Sequence, residues 1–106
     1  MRPTLLRIDR ADGPDACVLV LGGEIDLSSA HVLSDAIDAA ITDGWRQVVL
    51  DFSAVTFVNS TGLGVMVAAT KRLRAQDGDL VARSFRGIPA AALAITGLDE
   101  FLTIES

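Results

Sequence analysis

Tyrosine is missing from this sequence, histidine and cysteine occur once each, and anions outnumber cations. Each shortage closes a route. One histidine (His31) and one distant cysteine (Cys17) do not make up the ligand set of a transition-metal site. A lone cysteine forms no intrachain disulfide, and Cys17 lies in the apolar run Cys17-Val18-Leu19-Val20-Leu21, so it reads as a buried strand residue. There are no paired carboxylates and no nucleophile–base set that the sequence brings together. We therefore expect no catalytic residue, no cofactor and no metal, and a protein that is not an enzyme. The net charge of −5 argues against a nucleic-acid footprint. No apolar run approaches the ~20 residues that span a bilayer, and the N-terminus lacks a signal-peptide core. No membrane insertion and a cytoplasmic location are the expectation. Repeats, linkers and low-complexity segments are absent too.

What the chain does have is a globular composition. Half of its 106 residues are hydrophobic and 22% are charged, which fits one domain, residues 1–106, around one core. Thr4 to Asp9 alternates as a strand, and Arg10 to Asp15, with Asp12-Gly13-Pro14, reads as a turn. Ala16 to Gly22 is apolar on both faces and predicts a central strand, paired with the first as a hairpin. After the polar joint Gly22 to Ser28, apolar residues Ala30, Leu33, Ile37 and Ile41 predict a helix from about Ser29 to Asp43, closed by Gly44. Gln47 to Phe52 is a third strand. Leu63 to Gln76 is a second helix, with Leu63, Val67 and Leu73 inward and Lys71, Arg72 and Arg74 as a solvated end near the helix dipole's negative pole. Asp79 to Arg83 is a fourth strand, Pro89 to about Thr96 a third helix stopped by Gly97-Leu98, and Phe101 to Glu105 a last short strand. This order predicts an α/β domain: a mixed four- to five-stranded sheet with helices packed mainly on one face.

The most informative stretch is Phe57-Val58-Asn59-Ser60-Thr61-Gly62-Leu63-Gly64, between the third strand and the second helix. Asn59, Ser60 and Thr61 are all good N-cap types. Two glycines in the same turn cost a helix roughly 1 kcal/mol each relative to alanine. Such conflicts between local preference and fold concentrate at functional sites, and a bare backbone here lets a partner approach Ser60. The plainer alternative makes Ser60 an N-cap and nothing more. Asp26 has two compatible roles open, as the cap of the first helix or as part of a site. Gly62-Leu63-Gly64 is no phosphate loop, since neither Gly-Lys-Ser/Thr nor the Gly-x-Gly-x-x-Gly spacing is present. His31 reads as a surface or partner-facing residue, and Trp45 as packing on the sheet edge or anchoring an interface.

The run Val49 to Gly64 resembles the signature of STAS domains, specifically bacterial anti-sigma factor antagonists. The likeness extends to Gly23-Glu24-Ile25-Asp26 and Ile95-Thr96-Gly97-Leu98, and so covers nearly the whole chain. The resemblance implies a single STAS-type domain with a partner-switching role. The unmodified antagonist binds an anti-sigma factor that is also a serine kinase, and a sigma factor is released. That kinase phosphorylates the serine at the head of the second helix, which ends binding, and a metal-dependent serine phosphatase restores it. By position in the motif the acceptor is Ser60, with Thr61 as secondary candidate. The implied partner surface is Asp26, Asn59, Ser60, Thr61, Gly62, Leu63 and Gly64. One residue departs from the pattern: Asn59 stands where the family commonly has aspartate, which keeps the capping geometry and drops a charge. A rival within the same fold is a non-switching STAS subunit of another assembly, such as a stress-signalling complex or a lipid-transport machine. A homodimer through an exposed sheet edge is also open.

Overall fold

The computed structural model describes residues 6–105. Five strands lie side by side in chain order: β1 (Leu6–Asp12), β2 (Cys17–Ile25), β3 (Gln47–Val58), β4 (Asp79–Arg83) and β5 (Thr103–Glu105). β1 is antiparallel to β2, and each later pair is parallel. Parallel neighbours need crossovers, supplied by α1 (Ala30–Thr42), α2 (Ser60–Arg74) and α3 (Gly87–Thr96). Because β2 to β5 are added in one direction, right-handed crossovers put the three helices on the same face of the sheet. The mixed sheet and its layer of helices match the fold expected from the element order.

Burial follows this layering. Leu19 and Leu21 of β2, Leu50 and Phe52 of β3, and Leu80 of β4 meet Leu33 and Ile37 of α1, Met66 and Leu73 of α2, and Leu93 of α3 in one core. Cys17 is fully buried among them, as its apolar run predicts. Leu33, Ile37 and Ile41 form the inner stripe of α1, with Ala40 beside them. The opposite face of the sheet carries half-buried Val18, Val49 and Val81, and an ion pair of Arg83 with Asp51 at 3.2 Å.

Several boundaries differ from those expected. Thr4 lies outside the described residues, and β1 runs on to Asp12 through residues assigned to a turn. There the ladder opposite Leu19 and Cys17 continues, and Arg10 joins Asp12 and Asp43, each at 2.8 Å. β2 and β3 outlast their apolar runs, ending at Ile25 and Val58. Their register shifts twice, from Val20↔Asp51 to Gly22↔Ala54 and from Gly23↔Val55 to Glu24↔Phe57. Each shift is a bulge that places one extra residue in β3. The bulges bring both Val55 and Val58 to the core, which strict alternation from Phe52 would not do. The first is pinned locally: the Asp51 carboxylate accepts the Ser53 N–H at 2.9 Å. That bond and Arg83 hold the Asp51 carboxyl below its ordinary range. α2 begins at Ser60, three positions ahead of Leu63, and its inner face is Leu63, Met66, Thr70 and Leu73, so Val67 is only half-buried. Thr70 hides its hydroxyl on the Met66 carbonyl at 2.7 Å. The last strand starts at Thr103, after a 3₁₀ turn over Leu98–Glu100. Trp45 is half-buried against the core.

Candidate functional site

β2 and β3 end together. Ile25 pairs with Val58, and the Asn59 N–H donates to the Ile25 carbonyl at 3.0 Å. The chain then leaves both strands at the same end of the sheet, into the Asp26 loop after β2 and straight into α2 after β3. Ligands of open α/β sheets collect outside this carboxyl end of the strands. The register thus brings Asp26 and Asn59 to neighbouring positions, as the separated sequence motifs suggest.

Asp26 serves the entry to α1. Its carboxylate accepts the N–H groups of Ser28 at 2.9 Å and Ser29 at 3.2 Å, and the Ser28 hydroxyl at 2.7 Å. Ser29 occupies the N-cap position without making a side-chain cap. Its hydroxyl donates to the Glu24 carbonyl at 2.8 Å and accepts the Asp26 N–H at 3.0 Å. The capping-type role left open for Asp26 is therefore filled, one turn ahead of the formal cap. At the tip of this loop Leu27 is 80% exposed, an apolar residue that the polar character of the joint concealed.

At the head of α2 the three possible caps separate. Asn59 is the N-cap: its extended backbone turns its side-chain oxygen onto the N–H of Thr61 at 3.0 Å and of Gly62 at 3.3 Å. Ser60 is the first helical residue, exposed and without a capping bond, so it is not the cap. Thr61 is half-buried on the side facing α1. Two of the N–H groups that a phosphate on Ser60 would seek are already taken by Asn59.

The two glycines diverge. Gly62 is buried, and a Cβ on it would meet a methyl of Ile25 at 2.6 Å and one of Val58 at 2.8 Å. It exists so that α2 can lie against the ends of β2 and β3. Leu63 is likewise 3% exposed and belongs to the core. Gly64 faces out, with nothing within 4 Å of an added Cβ. Of the seven residues read as partner surface, Gly62 and Leu63 thus turn inward, Asp26, Asn59 and Thr61 are half-buried, and Ser60 and Gly64 are exposed.

Gly64 is also where two grooves meet. One, of about 340 Å³, lies between α1 and α2, with Thr61 at its head and the Arg72–Asp38 ion pair at its far end. The other, of about 390 Å³, lies between α2 and the end of α3, with Ser60 at its head, Leu63, Val67 and Leu98 along it, and Lys71 at its far end. The cations at the end of α2 are therefore not a uniform solvated patch. Arg74 binds Asp79 at 3.0 Å and the Phe101 carbonyl at 2.9 Å and lies 4.9 Å over the Phe101 ring, which ties β5 to the fold. Arg72 is held by α1. His31 is exposed on α1, and no group of three metal-ligating side chains occurs among the described residues. No helix among them is long and apolar enough to cross a membrane.

Comparison with known proteins agrees with this fold. A family model described as "Mlab, STAS domain" matches residues 8–104. The anti-sigma-F factor antagonist RsfB of Mycobacterium tuberculosis is 37% identical over 71 residues, covering 67% of this chain and 58% of that protein. The chain thus spans little more than half of that relative's length. The anti-sigma-B factor antagonist of Staphylococcus aureus is 27% identical over 84 residues, 79% of this chain and 78% of the relative. Among solved structures, an anti-sigma factor antagonist from Mycobacterium paratuberculosis superposes with a TM-score of 0.86 at 27% identity, over 94% of this chain and 85% of the other. These relatives are named as regulators of other proteins, and none of the names is that of an enzyme.

Proposed function

Because the chain belongs to the STAS-domain family, we propose that it is an anti-sigma factor antagonist switched at Ser60. The unmodified protein binds an anti-sigma factor with serine kinase activity in the cytoplasm and frees a sigma factor. Phosphorylation of Ser60 by that kinase ends the complex, and a serine phosphatase acting on the modified form restores it. The observation that carries this reading is the setting of Ser60: exposed at the first position of α2, making no capping bond, at the head of a groove and one turn from bare Gly64.

The physical effect of the modification is direct. A phosphate brings about −1.5 to −2 charges at neutral pH. The positive end of the α2 dipole tolerates it, although Asn59 leaves it fewer N–H donors than an uncapped helix would. The fold is therefore expected to survive, and the cost falls on the partner, which loses the space over Ser60 and Gly64. A loss of about 3–4 kcal/mol weakens binding several-hundred-fold, enough for a switch.

The test combines intact-mass analysis of protein from the native host, with and without phosphatase, and binding to the host's anti-sigma kinases. A phosphate on Ser60, and binding lost in Ser60→Asp, are the expected outcomes. Equally tight binding by the phosphorylated form would sink the switch. Asn59, standing where the resemblance implies aspartate, favours the rival, a non-switching STAS subunit of another assembly. That role predicts a stable complex and an unmodified Ser60 under every growth condition.

A further inference from the structure

α3 is apolar almost all the way round, and the fold covers one side of it. Pro89 and Leu93 are buried, while Ala91 and Ala94 are exposed and Ile88 and Ile95 are 60% and 85% exposed. At about 100° of turn per residue, Ile88, Ala91 and Ile95 fall within an arc of about 60°, and Ala91 stands about 160° round from Leu93. They form one outward stripe, with a small residue between two large ones. Neither isoleucine lines the groove that begins at Ser60, so the stripe is separate from the surface proposed for the anti-sigma factor.

The stripe is complementary to itself. No charged residue occurs from Gly87 to Leu98, so nothing on it repels a second copy of a chain whose net charge is −5. In an antiparallel pair of α3 helices, Ile88 lies opposite the copy's Ile95, and Ala91 sits beside the two-fold axis and lets the backbones close in. Arg86 then falls opposite the copy's Gly97, which is followed closely by Asp99 and Glu100. All three charged residues are exposed, and none has an ion pair among the described residues. Opposite charges thus stand at the two ends of α3, where an antiparallel pair brings them together and a parallel pair sets them apart. The sheet edges offer less. β1 carries Arg7, Asp9, Arg10 and Asp12, and β5 is three residues long, both features that discourage strand pairing.

We propose that two copies of the chain associate through antiparallel α3 helices, with Ile88 and Ile95 packed across a two-fold axis at Ala91 and Arg86 meeting Asp99 and Glu100 of the copy. The contact spans about 15 Å of helix axis. It is smaller than the roughly 800 Å² per partner of a standard interface, so the dimer is weak and reversible. Sedimentation equilibrium of the full chain, carried to about 1 mM, is expected to show it. Ile95→Ser is expected to weaken association at least about tenfold, since a two-fold contact loses the side chain twice. Arg86→Glu is expected to weaken it about tenfold at low salt, and adding Asp99→Arg and Glu100→Arg to the same chain to restore it. Ala91→Cys is expected to cross-link under mild oxidation, whereas Glu100→Cys, away from the axis of an antiparallel pair, is not; the native Cys17 is buried and does not compete. The substituted positions are exposed, and melting temperatures matching the unmodified chain verify folding. A chain that stays monomeric up to about 1 mM overturns the proposal. A dimer that persists unchanged in Ile95→Ser and Arg86→Glu overturns it too, as does cross-linking of Glu100→Cys as efficient as that of Ala91→Cys. No anti-sigma factor takes part in these measurements, so the antagonist reading stands or falls separately.

Discussion

Gly62 and Gly64 sit two residues apart in the opening turns of α2, and they answer to different neighbours. Gly62 faces the ends of β2 and β3, where the methyl groups of Ile25 and Val58 leave no room for a Cβ. Gly64 faces outward into open space. Both carry the same helix penalty, roughly 1 kcal/mol against alanine in a helix interior. For Gly62 the penalty is offset inside the molecule, by the close seating of the helix on the sheet. For Gly64 nothing inside the molecule offsets it, and this is the backbone that the proposed partner would approach. One turn of helix thus has a packed face and an open face, and a residue type alone does not tell them apart.

The contrast breaks most sharply at Gly62→Ala. The new methyl presses on two β-branched side chains with few rotamers to yield, an overpacking cost of about 1–3 kcal/mol that exceeds the gain in helix propensity. The melting temperature is expected to fall by roughly 4–8 °C per net kcal/mol lost, while affinity per folded molecule stays unchanged. An unchanged melt would remove the packing argument. Asn59→Ala should come next, at about 1 kcal/mol, because Thr61 and Gly62 lose the acceptor of their N–H groups. Asn59→Ser, which can still cap, should recover most of that loss in a denaturant titration. Failure of serine to do so would mean that Asn59 contributes by packing.

The mixed sheet and the helical layer were legible because the apolar run of β2 and the helical period of α1 are clean. The far ends of β2 and β3 were not. Two bulges break the two-residue period of β3 after Phe52, so the strand read from the sequence stops there although Val55 and Val58 reach the core. The motif at Ser60 was visible as a conflict between glycine and helix, yet its division into inner and outer halves was not. Nothing near Gly62 in sequence announces Ile25, which the β2–β3 pairing brings in from another strand. The same limit hid the difference between Lys71 and its two arginine neighbours. Asp38 and Asp79 belong to other elements, and only the packing of α2 on α1 and β4 shows which cations are occupied.

On the open face, where the partner is proposed to bind, the stability effects reverse sign. Gly64→Ala should raise stability by about 0.5–1 kcal/mol, since the added methyl meets nothing and the helix gains propensity. Partner affinity should drop about tenfold in the same variant, a loss in function that accompanies a gain in stability. Higher stability with unchanged affinity would move the interface away from Gly64.

The smallest effect concerns the residue where the chain departs from its family's pattern. Asn59→Asp keeps the oxygen that accepts from Thr61 and Gly62 and adds a negative charge at the positive end of α2. The gain expected from the helix dipole is about 0.3–1 kcal/mol at low ionic strength. It should shrink in 1 M salt, where the screening length falls to about 3 Å. Thermal melts at the two salt concentrations separate this from a change in hydrogen bonding, which salt would leave in place. The same charge would stand next to a phosphate on Ser60 and oppose it, so the variant should gain less from the dipole once phosphorylated. A phosphorylated Asn59→Asp protein that keeps its full gain over the phosphorylated parent would show that the phosphate does not share the helix end with residue 59.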